Sequence, residues 1–419
     1  MLPVTGMTSA PETGDAAESP NLDLAELGRA ALDTSYVSLG SRRTASVHEF
    51  YRYPARFSPT LARAVIEAFS QPGDLVLDPF VGGGTTLVEA QLAGRRAVGA
   101  DISSLAVFVS QTKTHLYSSG ACSLVRAWAR DVLGLRLDAS PAAAPSLGST
   151  EARGLATPSA WRLRRFIGLC LDSIRRLPDP SASLLARAAL LRASQWALDM
   201  REQVPSVSGL RETLAATASA MADAAESHRQ AVRAVAVGGG YRPKVLCRDA
   251  TALAPEDVVV GATTPALILT SPPYPGVYVN YHRWKIMGRK ETGAPFWIAD
   301  CPDGHGLAHY TMGARADHSG DRYFRTVLEA WSSIAGLVQS GAVVVQVIGF
   351  ANPGEQLSRY LATMDAAGFT EERLPQLSNA PDGRLWRGIP GRRWWVVSDG
   401  RAQSASSTGR EAVLVHRKR

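Results

Sequence analysis

Cysteine is scarce and scattered in these 419 residues: Cys122, Cys170, Cys247 and Cys301 form no C-x-x-C pair, which argues against a disulfide framework and a thiolate-rich zinc site and fits a reducing compartment. No stretch reaches the roughly 18 to 20 uninterrupted apolar residues of a membrane span. Residues 1–20 lack both the basic start and the apolar core of a secretory signal, so residues 1–45 are expected to form a largely disordered tail and the protein to be cytoplasmic. Neither charge dominates: 45 Lys and Arg stand against 38 Asp and Glu, a net +7 with a pI near 9.4, which suits a polyanionic partner without demanding one. The length exceeds that of a usual single core, so two domains, or one with a large insertion, are expected.

Two stretches carry chemistry. In the first, Leu75-Val76-Leu77 reads as a buried strand, Asp78-Pro79-Phe80-Val81-Gly82-Gly83-Gly84-Thr85-Thr86 as a turn, and the following LVEAQLAG as a helix. Three glycines let backbone approach a ligand, and the helix start offers unpaired N–H groups to an anion. A second strand, Arg96 to Ala100, ends at Asp101, where a carboxylate accepts from ribose hydroxyls. The lysine of a P-loop is missing after the glycines, and so is the G-x-G-x-x-G spacing of a dinucleotide fold. A nucleoside-bearing cofactor is therefore expected here.

The second stretch is Ala266 to Tyr274, ALILTSPPY. Its apolar run reads as a buried strand, and Pro272 and Pro273 forbid continuing the ladder because neither donates an N–H. The chain must turn there, at the strand's carboxyl end, where open α/β sheets place ligands. Between the two stretches the texture changes: residues 115–240 are rich in Ala, Leu and Arg with helical periodicity and are expected to form an all-helical insertion. Its arginines, among them Arg187 and Arg192, suit phosphates or simply solvent. Farther on, AVVVQVI at 342–348 reads as a buried strand and EAVLVH at 411–416 as a last strand, a candidate antiparallel edge. Cys301, His305, His309 and His318 have a zinc-like spacing, but Pro302, Gly304 and Gly306 argue against a helix that would align them, so no metal is expected.

DPFVGGGTT with its downstream acid, TSPPY after an apolar strand, and YPARFSP upstream together resemble the exocyclic-amino DNA methyltransferases, which make N4-methylcytosine or N6-methyladenine from S-adenosylmethionine. The resemblance covers roughly 48–114 and 241–419, sets the catalytic domain at 46–114 and 241–419, and implies a Rossmann-like class I methyltransferase fold: a mostly parallel seven-stranded sheet with an antiparallel edge strand, interrupted by the helical insertion. It implies that Asp78, Phe80, Gly82, Gly84 and Thr85 line the methionine part of the cofactor, that Asp101 holds the ribose, that Asp249 lies near the adenine, and that Arg56 and Phe57 touch the cofactor from upstream. Ser271, Pro272, Pro273 and Tyr274 become the catalytic corner, with serine there leaning toward cytosine N4. A role in restriction-modification or phage defence, with partner proteins, is implied by the family alone.

These residue types suit the chemistry. An exocyclic amine is a poor nucleophile because its lone pair is delocalised into the ring, and acceptors such as Ser271 and the Pro272 carbonyl pull its nitrogen toward tetrahedral geometry. A sulfonium donor is already activated, so in-line transfer needs positioning more than a strong base. The base must leave the duplex, and Tyr274 offers a face on which to hold it. Carbon-5 methylation would need a cysteine nucleophile, usually after proline, and no Pro-Cys pair occurs. Major-groove contacts are expected from Tyr281, His282, Arg283, Trp284, Arg289, Lys290, Arg387, Arg392 and Arg393. Alternatives are an RNA or protein amino-methyltransferase and a non-catalytic nucleic-acid-binding module.

Overall fold

The computed structural model describes residues 24–33, 46–53, 58–137, 155, 157, 160–235, 241–275, 283–287, 290–303, 312, 320–350, 352–389, 395–398, 401–404 and 409–419. It opens with helices α1 (Leu24–Leu32) and α2 (Pro59–Phe69). Ser58 caps α2, its hydroxyl accepting from the Leu61 N–H, and Pro59 occupies the first turn, where its missing N–H costs nothing. Next come β1 (Leu75–Asp78), α3 (Thr85–Leu92), β2 (Arg96–Asp101) and α4 (Ser104–Thr114). The helical middle supplies α5 (Ser119–Gly134), α6 (Trp161–Arg175), α7 (Pro180–Leu198) and α8 (Val207–Val235). No helix is long and apolar enough to cross a membrane among the described residues.

Strand texture resumes with β3 (Lys244–Cys247), the short α9 (Pro255–Val258) and β4 (Leu267–Thr270). A small hairpin, β5 (Trp284–Ile286) with β6 (Lys290–Thr292), leads to α10 (Ala294–Ala299) and α11 (Asp321–Ala335). The remainder is β7 (Val343–Gly349), α12 (Pro353–Ala366), β8 (Phe369–Glu371), β9 (Leu385–Ile389), the paired β10 (Trp395–Ser398) and β11 (Arg401–Ser404), and β12 (Gly409–Lys418).

The main sheet runs β3-β2-β1-β4-β7-β12-β8, with β9 also on β12. Its first five strands are mutually parallel, and β12 is antiparallel to β7. Two expectations are corrected here. Among the described residues the sheet has eight strands rather than seven, and β12 lies inside it rather than at its edge. Ten residues long, β12 lets β9 pair with Gly409–Val413 and β8 with His416–Lys418 along the side opposite β7.

Because β1, β4 and β7 are buried on both faces, they read as continuous apolar runs rather than alternating ones. Alternate residues part to the two faces: Val76, Leu267, Leu269 and Val345 meet Leu61, Val65 and Leu87 of α2 and α3. Leu75, Leu77, Ile268 and Val344 meet Phe324, Trp331 and Tyr360 of α11 and α12. The one polar side chain in the β7 run, Gln346, accepts from the Tyr360 hydroxyl. The helical middle is no detached module: its core residues Phe166, Leu190 and Leu214 share one cluster with Phe50, Tyr51, Trp284 and Phe296.

Gly99, on β2, sits beneath the turn that follows β1. A Cβ there would lie 2.7 Å from both the Leu87 and Val81 side chains. Gly99→Ala is therefore expected to lower stability by about 1–3 kcal/mol by overpacking, measured by denaturant unfolding; unchanged stability would show that the strand-to-turn packing is looser than described.

Candidate active site

Four strands in a row present their carboxyl ends to one edge: Asp78 ends β1, Asp101 ends β2, Asp249 follows β3, and Ser271 follows β4. The glycine turn and the proline corner, almost two hundred residues apart in the chain, thus become neighbours because β1 and β4 pair directly, Leu77 beside Ile268. A hydrogen bond fastens them: Thr270 Oγ1 donates to Asp78 Oδ1 at 2.6 Å. Thr86, at the start of α3, donates across to the Leu269 carbonyl at 3.3 Å.

Burial raises the Asp78 carboxyl to about 6, against the hydrogen bonds from Thr270 and the Phe80 N–H, which favour its ionised form. Asp101 is likewise raised to about 6 by burial, opposed by the Ser103 and Gly82 N–H groups at 2.8 and 2.9 Å. The acid at the end of β2 therefore faces the glycine turn and is bonded to it. Asp249 is exposed at the same edge and caps a short 3-10 turn, accepting from the Thr251 N–H and hydroxyl, both at 2.9 Å.

Gly82 and Gly84 have φ of +46° and +77°, backbone that other residues rarely adopt. Gly84 caps α3, and Thr85 opens it, nearly buried. Phe80, half-buried, follows the strand end. Three residues that sequence reading passed over hold this turn. Ser110 donates to the Gly82 carbonyl at 3.0 Å, Lys113 donates to the Gly83 carbonyl at 2.8 Å, and the Tyr53 ring lies 3.4 Å from where a Cβ on Gly82 would stand. The first two lie in the polar second half of α4, Ser110–Thr114, where nothing in the sequence sets them apart. Tyr53 belongs to the YPARFSP segment, of which Arg56 and Phe57 lie outside the described residues.

At the corner, Pro272 is buried while Ser271 and Tyr274 are half-exposed. Ser271 Oγ is 3.1 Å from the Tyr274 hydroxyl, which donates to Glu411 Oε1 at 2.8 Å. The Pro273 carbonyl accepts from the Tyr323 hydroxyl at 2.7 Å, so α11 clamps the corner from behind.

Two expected base-reading residues are corrected. Trp284 is 1% exposed, its indole N–H donating to the Tyr51 hydroxyl at 3.0 Å, so it packs the core under the helical middle. Arg387 is 2% exposed and meets Glu411 Oε2 through Nε and Nη2 at 2.9 and 2.7 Å, because β9 pairing sets the two residues side by side. Arg283 lies against Asp303 at 2.7 Å. Lys290 falls on β6, and only its backbone is described; Tyr281, His282, Arg289, Arg392 and Arg393 fall outside the described residues, as do His305, His309 and His318. Among the described residues no cluster of metal-ligating side chains occurs. In the helical middle, Arg187 donates to the Ile298 carbonyl and Arg192 to that of Glu49.

Residues 33–111 match a family model described as DNA methylase, of the N6/N4 class. Over 93 residues the chain is 33% identical to the type II methyltransferase M.BsoBI of Geobacillus stearothermophilus, covering 22% of this chain and 18% of that protein. Over 75 residues it is 35% identical to the type II methyltransferase M.MjaII of Methanocaldococcus jannaschii, covering 18% and 14%. A tRNA (guanine(10)-N2)-dimethyltransferase of Methanothermobacter thermautotrophicus is 41% identical over 87 residues, covering 20% and 25%. The chain thus aligns with a quarter or less of the length of each of these relatives. A solved rRNA methyltransferase from Streptomyces viridochromogenes aligns with 90% of this chain and 94% of its own at 13% identity, with a TM-score of 0.33. The stretch that holds the glycine turn and the acid facing it thus lies within the residues that match the N6/N4 DNA methylase model.

Proposed function

We propose that this protein is a DNA methyltransferase that transfers a methyl group from S-adenosylmethionine to an exocyclic amine, cytosine N4 in preference to adenine N6, on a base turned out of the duplex. The observation that carries the reading is the junction of Asp78 and Thr270, which sets the cofactor turn and the Ser271 corner side by side at one sheet edge. Glycines at 82 and 84 with positive φ, and an acid facing the turn they form, fit the methionine and ribose portions of the donor. When bound, the sulfonium supplies an activated methyl group. Ser271 and the Pro272 carbonyl accept from the amine N–H groups and draw its nitrogen out of conjugation. The Pro273 carbonyl, already bonded to Tyr323, fixes the corner instead of touching substrate. The Tyr274 ring holds the base. Modification of host DNA within a restriction or defence system is the biological role most consistent with the type II relatives. Likeness to a tRNA dimethyltransferase over 87 residues favours RNA as the second reading, since the same corner serves any exocyclic amine.

Incubation with labelled S-adenosylmethionine and unmethylated DNA, followed by digestion to nucleosides, is expected to give N4-methylcytosine. N6-methyladenine would change the base, and label in neither would sink the DNA reading. Ser271→Ala is expected to lose roughly 10²–10³-fold in turnover while keeping cofactor affinity; loss of cofactor binding instead would remove Ser271 from its role. The acid facing the glycine turn sets a pH dependence. Ionised Asp101 accepts two ribose hydroxyls, whereas the protonated form offers fewer acceptors, so affinity is present above its pKa of about 6 and lost as pH falls through it. Calorimetric titration should show cofactor binding weaken up to about tenfold per pH unit below that point, with Asp101→Asn weak throughout and less pH-dependent. A wild-type affinity that does not change from about pH 7 to about pH 5 would contradict the ribose assignment.

A further inference from the structure

Behind the corner a buried ion pair is coupled to it. Glu411, near the start of β12, is 1% exposed and is set by strand register between Gly349 of β7 and Arg387 of β9. Arg387 takes its Oε2, and the Tyr274 hydroxyl donates to its Oε1 at 2.8 Å. An ionised carboxylate is acceptor-only, so the single hydroxyl proton of Tyr274 is committed to Glu411. Across the 3.1 Å between Tyr274 and Ser271, the serine must then donate. A serine that gives its proton to Tyr274 turns only lone pairs toward a substrate.

We propose that Glu411, held by Arg387, is a positioning residue that sets the direction of the Tyr274–Ser271 hydrogen bond and so makes Ser271 an acceptor for a substrate N–H. The inference rests on the amino-methyltransferase reading and deepens it in two ways. It explains how a neutral serine, which by itself donates as readily as it accepts, selects an amine over a ring carbonyl. It also assigns a role to a buried charge pair, an arrangement whose contribution to stability alone is small or negative. Arg387, which sequence reading placed on DNA, enters the site from inside.

The test compares single-turnover methyl transfer to DNA for the full chain, Glu411→Gln, Tyr274→Phe and the double variant. Each single variant is expected to slow transfer about tenfold, with cofactor affinity and KM for DNA unchanged, since one charge-assisted link is lost and the stacking ring is kept. The double variant is expected to be no slower than Tyr274→Phe, because Glu411 acts through that hydroxyl. Singles at the wild-type rate, or effects that multiply in the double variant, would overturn the proposal. Glu411→Gln leaves the Arg387 guanidinium buried beside a neutral partner and can cost the fold; Tyr274→Phe removes one oxygen and carries the test without it. A wild type that transfers no methyl group sinks the parent reading and this inference together, whereas an active wild type with unaffected variants sinks the inference alone.

Discussion

The hydrogen bond from Thr270 to Asp78 is the constraint on which the site depends. It joins the last residues of two adjacent parallel strands, and each strand leads into one of the two turns that the proposed reaction uses. Desolvation of a buried carboxylate works against such a contact and raises the Asp78 carboxyl to about 6. The Thr270 hydroxyl and the Phe80 N–H offset it, so the acid is retained at a place where an apolar side chain would pack more easily. Without this junction the glycine turn and the proline corner would be separate loops on a shared edge.

Strand direction supplies the other requirement. Parallel strands deliver only their final residues to the carboxyl edge, so every group taken from them comes from a strand end and the turn beyond it. β12 runs the opposite way and delivers the beginning of its chain, which is how Glu411 arrives behind Tyr274. β9, added along the outer side of β12, brings Arg387 to its register partner. The helical middle contributes by burial: its core encloses Tyr51 and Trp284, and so anchors both the segment before α2 and the hairpin after the corner.

Much of this was legible in the sequence because the signals were local. β1, β2, β3 and β4 are short apolar runs, with Asp78, Asp101 and Asp249 at or just past the ends of the first three and Pro272 just past the fourth. Ser58-Pro59 announced the start of α2. What escaped depended on long-range pairing. β8 and β9 are three and five residues long and carry no period of their own, so β12 looked like an edge. Arg387 and Trp284 lie in stretches dense in charge and aromatics that read as surface, yet register and hairpin packing turn both inward. Glu411 had a faint signal, an acid opening the apolar run Ala412–Val415, where burial requires a partner that only the fold reveals. Lys113 and Ser110 were hidden because their partners are backbone carbonyls of the glycine turn.

The central claim is that one sheet edge orders donor and acceptor side by side. A structure of the protein with S-adenosylhomocysteine bound tests it most directly. The homocysteine part is expected along Gly82–Gly84, the ribose hydroxyls on Asp101, and the sulfur directed at the space beside Ser271. A cofactor bound elsewhere, or one whose sulfur points away from Ser271, would contradict the account.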